Sequence, residues 1–187
     1  SDWIKAGTQI LSNSTSGVNI NASDIISYAA TEDITILGSS IIINADIATG
    51  ASNTITFSSK EDIDINSNVD ISTNGGSVVF RSNNDGQGSY GSVIFYPNST
   101  ITTNGGHLWI GGGSSNATWN GLTVGDGYAV GGTSITPSSN NSDVEPAVYF
   151  ESSTISTSGG SIYLAGSGQS SGTYGLVGIG VIDIDAG

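Results

Sequence analysis

The chain has 187 residues, 16 of them Asp or Glu and 3 Lys or Arg, giving a formal net charge of −13. Lys5, Lys60 and Arg81 are too few to neutralise a phosphate backbone or hold an anionic membrane surface, which excludes a nucleic-acid binder. No stretch approaches the ~18 apolar residues of a spanning helix, and a chain without Cys forms neither disulfides nor thiolate sites.

Ser (32), Thr (18), Asn (16) and Gly (28) make up half of the chain. Such polarity can signal disorder. Against that stand 24 Ile and 11 Val, with only 6 Leu, in short alternating clusters that favour half-buried strands over helices. The class is all-β. The composition suits a secreted bacterial protein. With no Met and no charged-then-apolar start, the chain is expected to begin inside a longer precursor.

In chain order, a similar phrase returns seven times. Ile4-Lys5-Ala6-Gly7 leads into Ile10-Leu11, and Asp24-Ile25 into Ile34-Thr35-Ile36. Asp46-Ile47-Ala48-Thr49-Gly50 leads into Ile55-Thr56-Phe57. The clearer copies follow: Ile71-Ser72-Thr73-Asn74-Gly75-Gly76 before Val78-Val79-Phe80, Ile101-Thr102-Thr103-Asn104-Gly105-Gly106 before Leu108-Trp109-Ile110, and Ile155-Ser156-Thr157-Ser158-Gly159-Gly160 before Ile162-Tyr163-Leu164. Asp183-Ile184-Asp185 closes the series. From Ile4 to Ile184 the steps are 21, 22, 24, 30, 54 and 29 residues.

The basic period is about 22 residues, too short for a propeller blade. The longer steps read as the same unit with insertions near 82–91, 111–146 and 167–175, as a stacked solenoid allows. A parallel β-helix fits, its coils stacking about 4.8 Å apart. The whole of 1–187 then forms one segment of a longer array. Alternation points Leu108 and Ile110, Ile162 and Leu164, and their equivalents inward; Thr35, Thr56, Val79, Trp109 and Tyr163 share an outward column. The Gly-Gly pairs mark a corner where positive φ or close packing excludes a Cβ. Leu122-x-Val124 in the middle insertion reads as a further strand, making the 54-residue step two coils.

The phrase from Ser153 to Gly166, and the run from Gly166 through Ser167-Gly168-Gln169 to Val181-Ile182-Asp183-Ile184-Asp185-Ala186-Gly187, resemble the shaft repeats of filamentous-haemagglutinin-like proteins, very large bacterial surface or secreted proteins. The resemblance covers nearly the whole chain. It implies a right-handed parallel β-helix and a role in adhesion or surface display. The family's secretion domain carries an Asn-Pro-Asn-Gly type motif that this chain lacks, which points to an internal shaft segment.

Catalysis finds little support. Arg81 is the only Arg. The acidic neighbours Glu32-Asp33 and Glu61-Asp62 point to opposite faces of a strand, whereas glycoside hydrolysis needs two carboxyl groups converging on one bond. Asp143 with Glu145 is the remaining pair. His107 takes the position of Ser77 and Ser161, a tolerant surface site. No metal or cofactor is required. Calcium is the one ionic candidate, since Asp62 with Asp64, and Asp183 with Asp185, each place two oxygens on one face; a solvated acidic face is the alternative. The aromatics offer a sharper site. Trp109 and Tyr163, with Trp119 and Tyr128 on the adjoining insertion, form either a platform for sugar rings or a satellite cluster buried by that insertion.

The expected protein is therefore a non-enzymatic structural and adhesive segment, extracellular or on the bacterial surface. Its rod would present loops to surface glycans or proteins of host or neighbouring cells. A carbohydrate-binding module on the same scaffold is the alternative, and a polysaccharide lyase or hydrolase the weakest reading. Coils cut at Ile4 and Ile184 predict contact with flanking coils of the same polypeptide, and end-to-end association of the fragment.

Overall fold

A computed structural model describes residues 3–12, 20–87, 90–132, 146–168, 175–179 and 183–187. Two strands open the chain, β1 (Trp3–Ala6) and β2 (Gln9–Ser12), followed by one helix, α1 (Ala22–Ala29). Strands then arrive in groups of three. The first group is β3 (Ile34–Gly38), β4 (Ile41–Ile43) and β5 (Ile47–Ala48). The second is β6 (Ile55–Ser59), β7 (Ile63–Ile65) and β8 (Asp70–Ser72). The third is β9 (Val78–Ser82), β10 (Val93–Phe95) and β11 (Thr100–Thr102).

The fourth group carries extra strands: β12 (Leu108–Trp119), β13 (Leu122–Gly127), β14 (Ala129–Gly131), β15 (Val148–Glu151) and β16 (Thr154–Ser156). The last comprises β17 (Ile162–Leu164), β18 (Gly166–Gly168), β19 (Leu176–Ile179) and β20 (Asp183–Asp185). The first member of each group joins one sheet, β2-β3-β6-β9-β12, which β17 extends on β12. The others form β4-β7-β10-β15-β19 and β5-β8-β11-β16-β20. Neighbours from successive groups are parallel in every case. The molecule is a mostly β structure of parallel sheets.

Alternation explains why these short segments are strands. Ile55, Val78 and Leu108 align in register, as do Phe57, Phe80 and Ile110, and all six are buried at 0–1% exposure. They join Ile63, Ile65, Phe95 and Phe150 from the second sheet, and Ile71, Ile101 and Ile155 from the third, in one core. Phe57 stacks on Phe80 at 5.3 Å, and Phe95 on Phe150 at 4.8 Å. Equivalent side chains thus pack on each other between neighbouring strands, and the register is set by burial.

The Gly-Gly corner joins the third sheet to the first, and its two glycines do different work. Gly75, Gly105 and Gly159 have φ of 89°, 105° and 102°. At the second glycine the limit is space: a Cβ on Gly106 would lie 2.1 Å from the Gly76 carbonyl oxygen, and one on Gly160 1.9 Å from that of Gly106. Buried threonines lock the turn. Thr73 and Thr157 donate through Oγ1 to the carbonyls of Gly76 and Gly160, each at 2.5 Å, and Thr103 does the same to Gly106. Thr49 heads a Gly-Ala version of the turn, and its buried Oγ1 has no partner.

Three sequence expectations change. The copy at Ile25 is helical, because Ile25 and Ala29 recur at helical spacing and are the buried positions of α1. This helix packs with Ile10 in the core and is tied down by Asn53 Nδ2, which donates to the Ala29 carbonyl at 2.8 Å. The copy at Ile4 is also not a parallel rung, since β1 pairs antiparallel with β2. The N-terminal end of the core is therefore covered, whereas Leu176 and Ile184 near the other end are 54% and 46% exposed.

The third change concerns Leu122-x-Val124, which lies in β13 and runs antiparallel to β12. It forms a hairpin arm, not a separate coil, so the 54-residue step is one group with a large insertion. The first two insertions leave from a strand of the first sheet and the third from β18, which pairs with β14; all three return to a strand of the second sheet. Asp143 and Glu145, with Tyr174 of the third insertion, lie outside the described residues. Among the described residues no helix is long and apolar enough to cross a membrane.

Candidate functional site

The middle insertion builds the most distinctive surface. After Ile110 the chain passes through Gly111-Gly112-Gly113, where β12 leaves the sheet. A Cβ on Gly112 would lie 2.2 Å from the Tyr128 carbonyl oxygen, Gly113 has φ of 108°, and the β12–β13 register shifts between Gly112 and Asn116. The arm turns at Asn120-Gly121, with φ of 45° and 79°. Two positive φ values suit the tight turn whose twist matches paired strands, and Asn-Gly is its preferred dipeptide.

The arm has one apolar face. Ala117, Trp119, Leu122 and Val124 pack on the outward column Val79, Trp109 and Tyr163 of the first sheet. Trp109 lies in register with Val79 and Tyr163, stacks on the Tyr163 ring at 5.6 Å and 3°, and retains 2% exposure. Trp119 tilts across Tyr163 at 5.7 Å and meets the His107 ring edge-on at 5.6 Å. Tyr128 is elsewhere and 59% exposed. The four aromatics do not form a common exposed platform: Trp109 and Tyr163 lie under the arm against its Trp119, and Trp109 has no free ring face for a sugar.

Arg81, the only Arg of the chain, is the polar fastener of the arm. Its Nε donates to the Gly113 carbonyl at 2.8 Å, Nη1 to Asn116 Oδ1 at 2.7 Å and Nη2 to the Ser115 carbonyl at 3.1 Å. Asp126 Oδ1 accepts from the Ser115 N–H at 3.0 Å. Burial lowers the pKa of the guanidinium, and the Asp126 charge opposes that shift. Arg81 follows Phe80 by one residue on an alternating strand, the signal that places it on the outer face.

His107 is more constrained than its variable position implied. Its N–H donates to Ser77 Oγ at 3.0 Å, and its Nδ1 accepts from the Ser161 N–H at 2.9 Å. It bridges three successive copies of the corner, a structural use.

The acidic pairs behave as strand-face residues. Asp62 Oδ1 accepts from the Ser92 N–H at 2.8 Å, while Asp64 lies in register between Ile42 and Ile94 with a buried Oδ1 that has no partner. Burial pushes the Asp64 carboxyl up to about 6, with a further push from the Asp62 charge. Burial also raises Asp62, against the bond from Ser92. Two carboxylates beside isoleucines do not fit Ca²⁺, which takes 6–8 oxygen ligands. Asp185 Oδ1 accepts from the Gly187 N–H at 2.8 Å; the side chain of Asp183 lies outside the described residues. Among the described residues no three His, Asp or Glu side chains group to hold a metal ion.

No protein-family model, curated protein or solved structure matches this chain.

Proposed function

We propose that the three sheets are the faces of a right-handed parallel β-helix, and that the chain is a non-enzymatic rod segment of a large bacterial surface or secreted protein of filamentous-haemagglutinin-like type. The observation that carries this reading is the single register running through all three sheets around one core. Each added group of strands would lengthen such a rod by about 4.8 Å. Insertions confined to one corner suit presentation, because they leave stacking undisturbed while holding a feature clear of the axis. The hairpin arm, laid on the outer face of the first sheet, is the feature presented. Its partners would be glycans or proteins of a neighbouring surface.

The test is twofold. A chain in which residues 71–100 are duplicated should keep cooperative unfolding and gain about 4.8 Å in length by small-angle scattering. Cells displaying the chain should adhere to epithelial monolayers or glycan-coated surfaces more than cells displaying a version in which residues 113–127 are replaced by a short Gly-Ser link. An unchanged length, or equal adhesion of both, would sink the respective half of the reading.

A further inference from the structure

The outward column of the first sheet changes character along its length. Where the arm covers it, it is Val79, Trp109 and Tyr163. Beyond the arm, in the same register, it is Thr56, Thr35 and Gln9. Between this polar stretch and the arm lies a groove of about 410 Å³, within the size range of small-ligand clefts. Its floor includes Thr35, Thr56 and Ser58, and its wall Asn116, Leu122 and Thr123.

We propose that this groove binds a neutral oligosaccharide. This is independent of the rod and deepens the glycan reading of the arm, whose Asn116, Leu122 and Thr123 form the groove wall; substitutions on the floor test the groove while leaving the arm in place. Thr35 and Thr56 set hydroxyls on two adjacent strands, about 4.8 Å apart, and Gln9 follows them with an amide on the next, so donors and acceptors line up for a chain of sugar hydroxyls. Thr35 and Thr56 make no side-chain hydrogen bond among the described residues, so ligand contacts replace water rather than protein. The Asn116 amide, on the groove wall, is held in one orientation because its Oδ1 accepts from Arg81, which keeps its Nδ2 as the donor for a ligand. Leu37 and Leu122 offer the apolar contact that the C–H face of a pyranose needs.

Charge selects against acidic ligands. Asp33 and Arg81 both line the groove, so their charges offset each other; three of the five Arg81 N–H donors are held by the arm, and the chain as a whole carries −13. The groove therefore offers an anionic sugar no net positive charge, and the field of the whole chain repels it. The groove is also too polar to drive docking of an apolar peptide by burial.

The experiment uses the 187-residue chain against cellohexaose, xylohexaose, mannohexaose, N-acetylchitohexaose and hexagalacturonate, with a random peptide library in parallel, followed by calorimetric titration. At least one neutral hexasaccharide should bind, and hexagalacturonate should not. Thr56→Trp, which fills the floor, should weaken binding by about tenfold or more with an unchanged unfolding midpoint, while Tyr128→Ala, outside the groove, should bind as wild type. If Thr56→Trp fails to fold, the paired Thr35→Val and Thr56→Val variant, favourable in a strand, should show the same loss. The proposal is overturned if no neutral oligosaccharide binds at millimolar concentration, if uronate or peptide is preferred, or if binding survives the groove substitutions.

Discussion

The indole of Trp109 lies parallel to the phenol ring of Tyr163, 3° between planes and 5.6 Å between centroids, although 54 residues separate them. Register brings them together, because Leu108–Ile110 and Ile162–Leu164 are paired parallel strands. The hairpin arm then closes over both. Trp109→Ala should therefore lower stability by about 3–5 kcal/mol in urea unfolding. Tyr128→Ala, with its ring 59% exposed, should change it by less than about 0.5 kcal/mol. Equal stabilities would mean that the arm does not bury the ring.

The threonine corner gives a second contrast. Thr103→Val removes a buried bond to the Gly106 carbonyl and should cost about 1–3 kcal/mol, because it leaves that carbonyl without this donor. Thr49→Val removes a hydroxyl that already has no partner, so it should be neutral or stabilising. A larger loss at position 49 than at 103 would contradict this account.

Glycine requirements differ just as sharply. Gly106→Ala sets a Cβ 2.1 Å from a backbone oxygen, which cannot rotate away, and should cost about 3 kcal/mol or more. Around Gly50 a Cβ meets nothing within 4 Å, and φ is not positive. Gly50→Ala should be neutral or stabilising by up to about 1 kcal/mol, through the unfolded chain. Thermal unfolding of the two variants side by side checks this.

Asp64 makes stability depend on pH. Its carboxyl is raised from 3.8 to about 6 in the folded chain, so the folded state binds the proton more tightly than the unfolded one. This contribution is fully present below pH ~4 and is lost as pH rises through ~6. Stability should fall from pH 5 to pH 7. Asp64→Asn should flatten that slope and stabilise the chain at pH 7 by about 1–2 kcal/mol, after allowance for partial solvent exposure. An unchanged slope in denaturant titrations at the two pH values would remove Asp64 as its source.

The two ends of the core predict a polarity of association. Ile25 and Ala29 of α1 cover one end, while Leu176 and Ile184 are exposed near the other. Sedimentation velocity should find concentration-dependent association that Ile184→Asp weakens. A variant that associates as strongly as the parent would exclude that end.

Much of the strand pairing was legible in the residues themselves. A sequence that repeats Thr-x-Gly-Gly before an alternating triplet announces that equivalent positions stack, because each copy must bury the same side chains against its neighbours. The inward pairs and the outward column follow from that match and from the period of two. The Asn120-Gly121 turn was also there to be read, yet nothing local said which way its arm would fold. An insertion has no counterpart in the adjoining copy, so its position depends on which surface it can bury. Tertiary structure alone decided that Trp109 lies under the arm, that Arg81 fastens it, and that α1 covers the core where a strand was expected. Repetition specifies contacts between like and like; contacts between unlike segments are selected only when the whole chain packs.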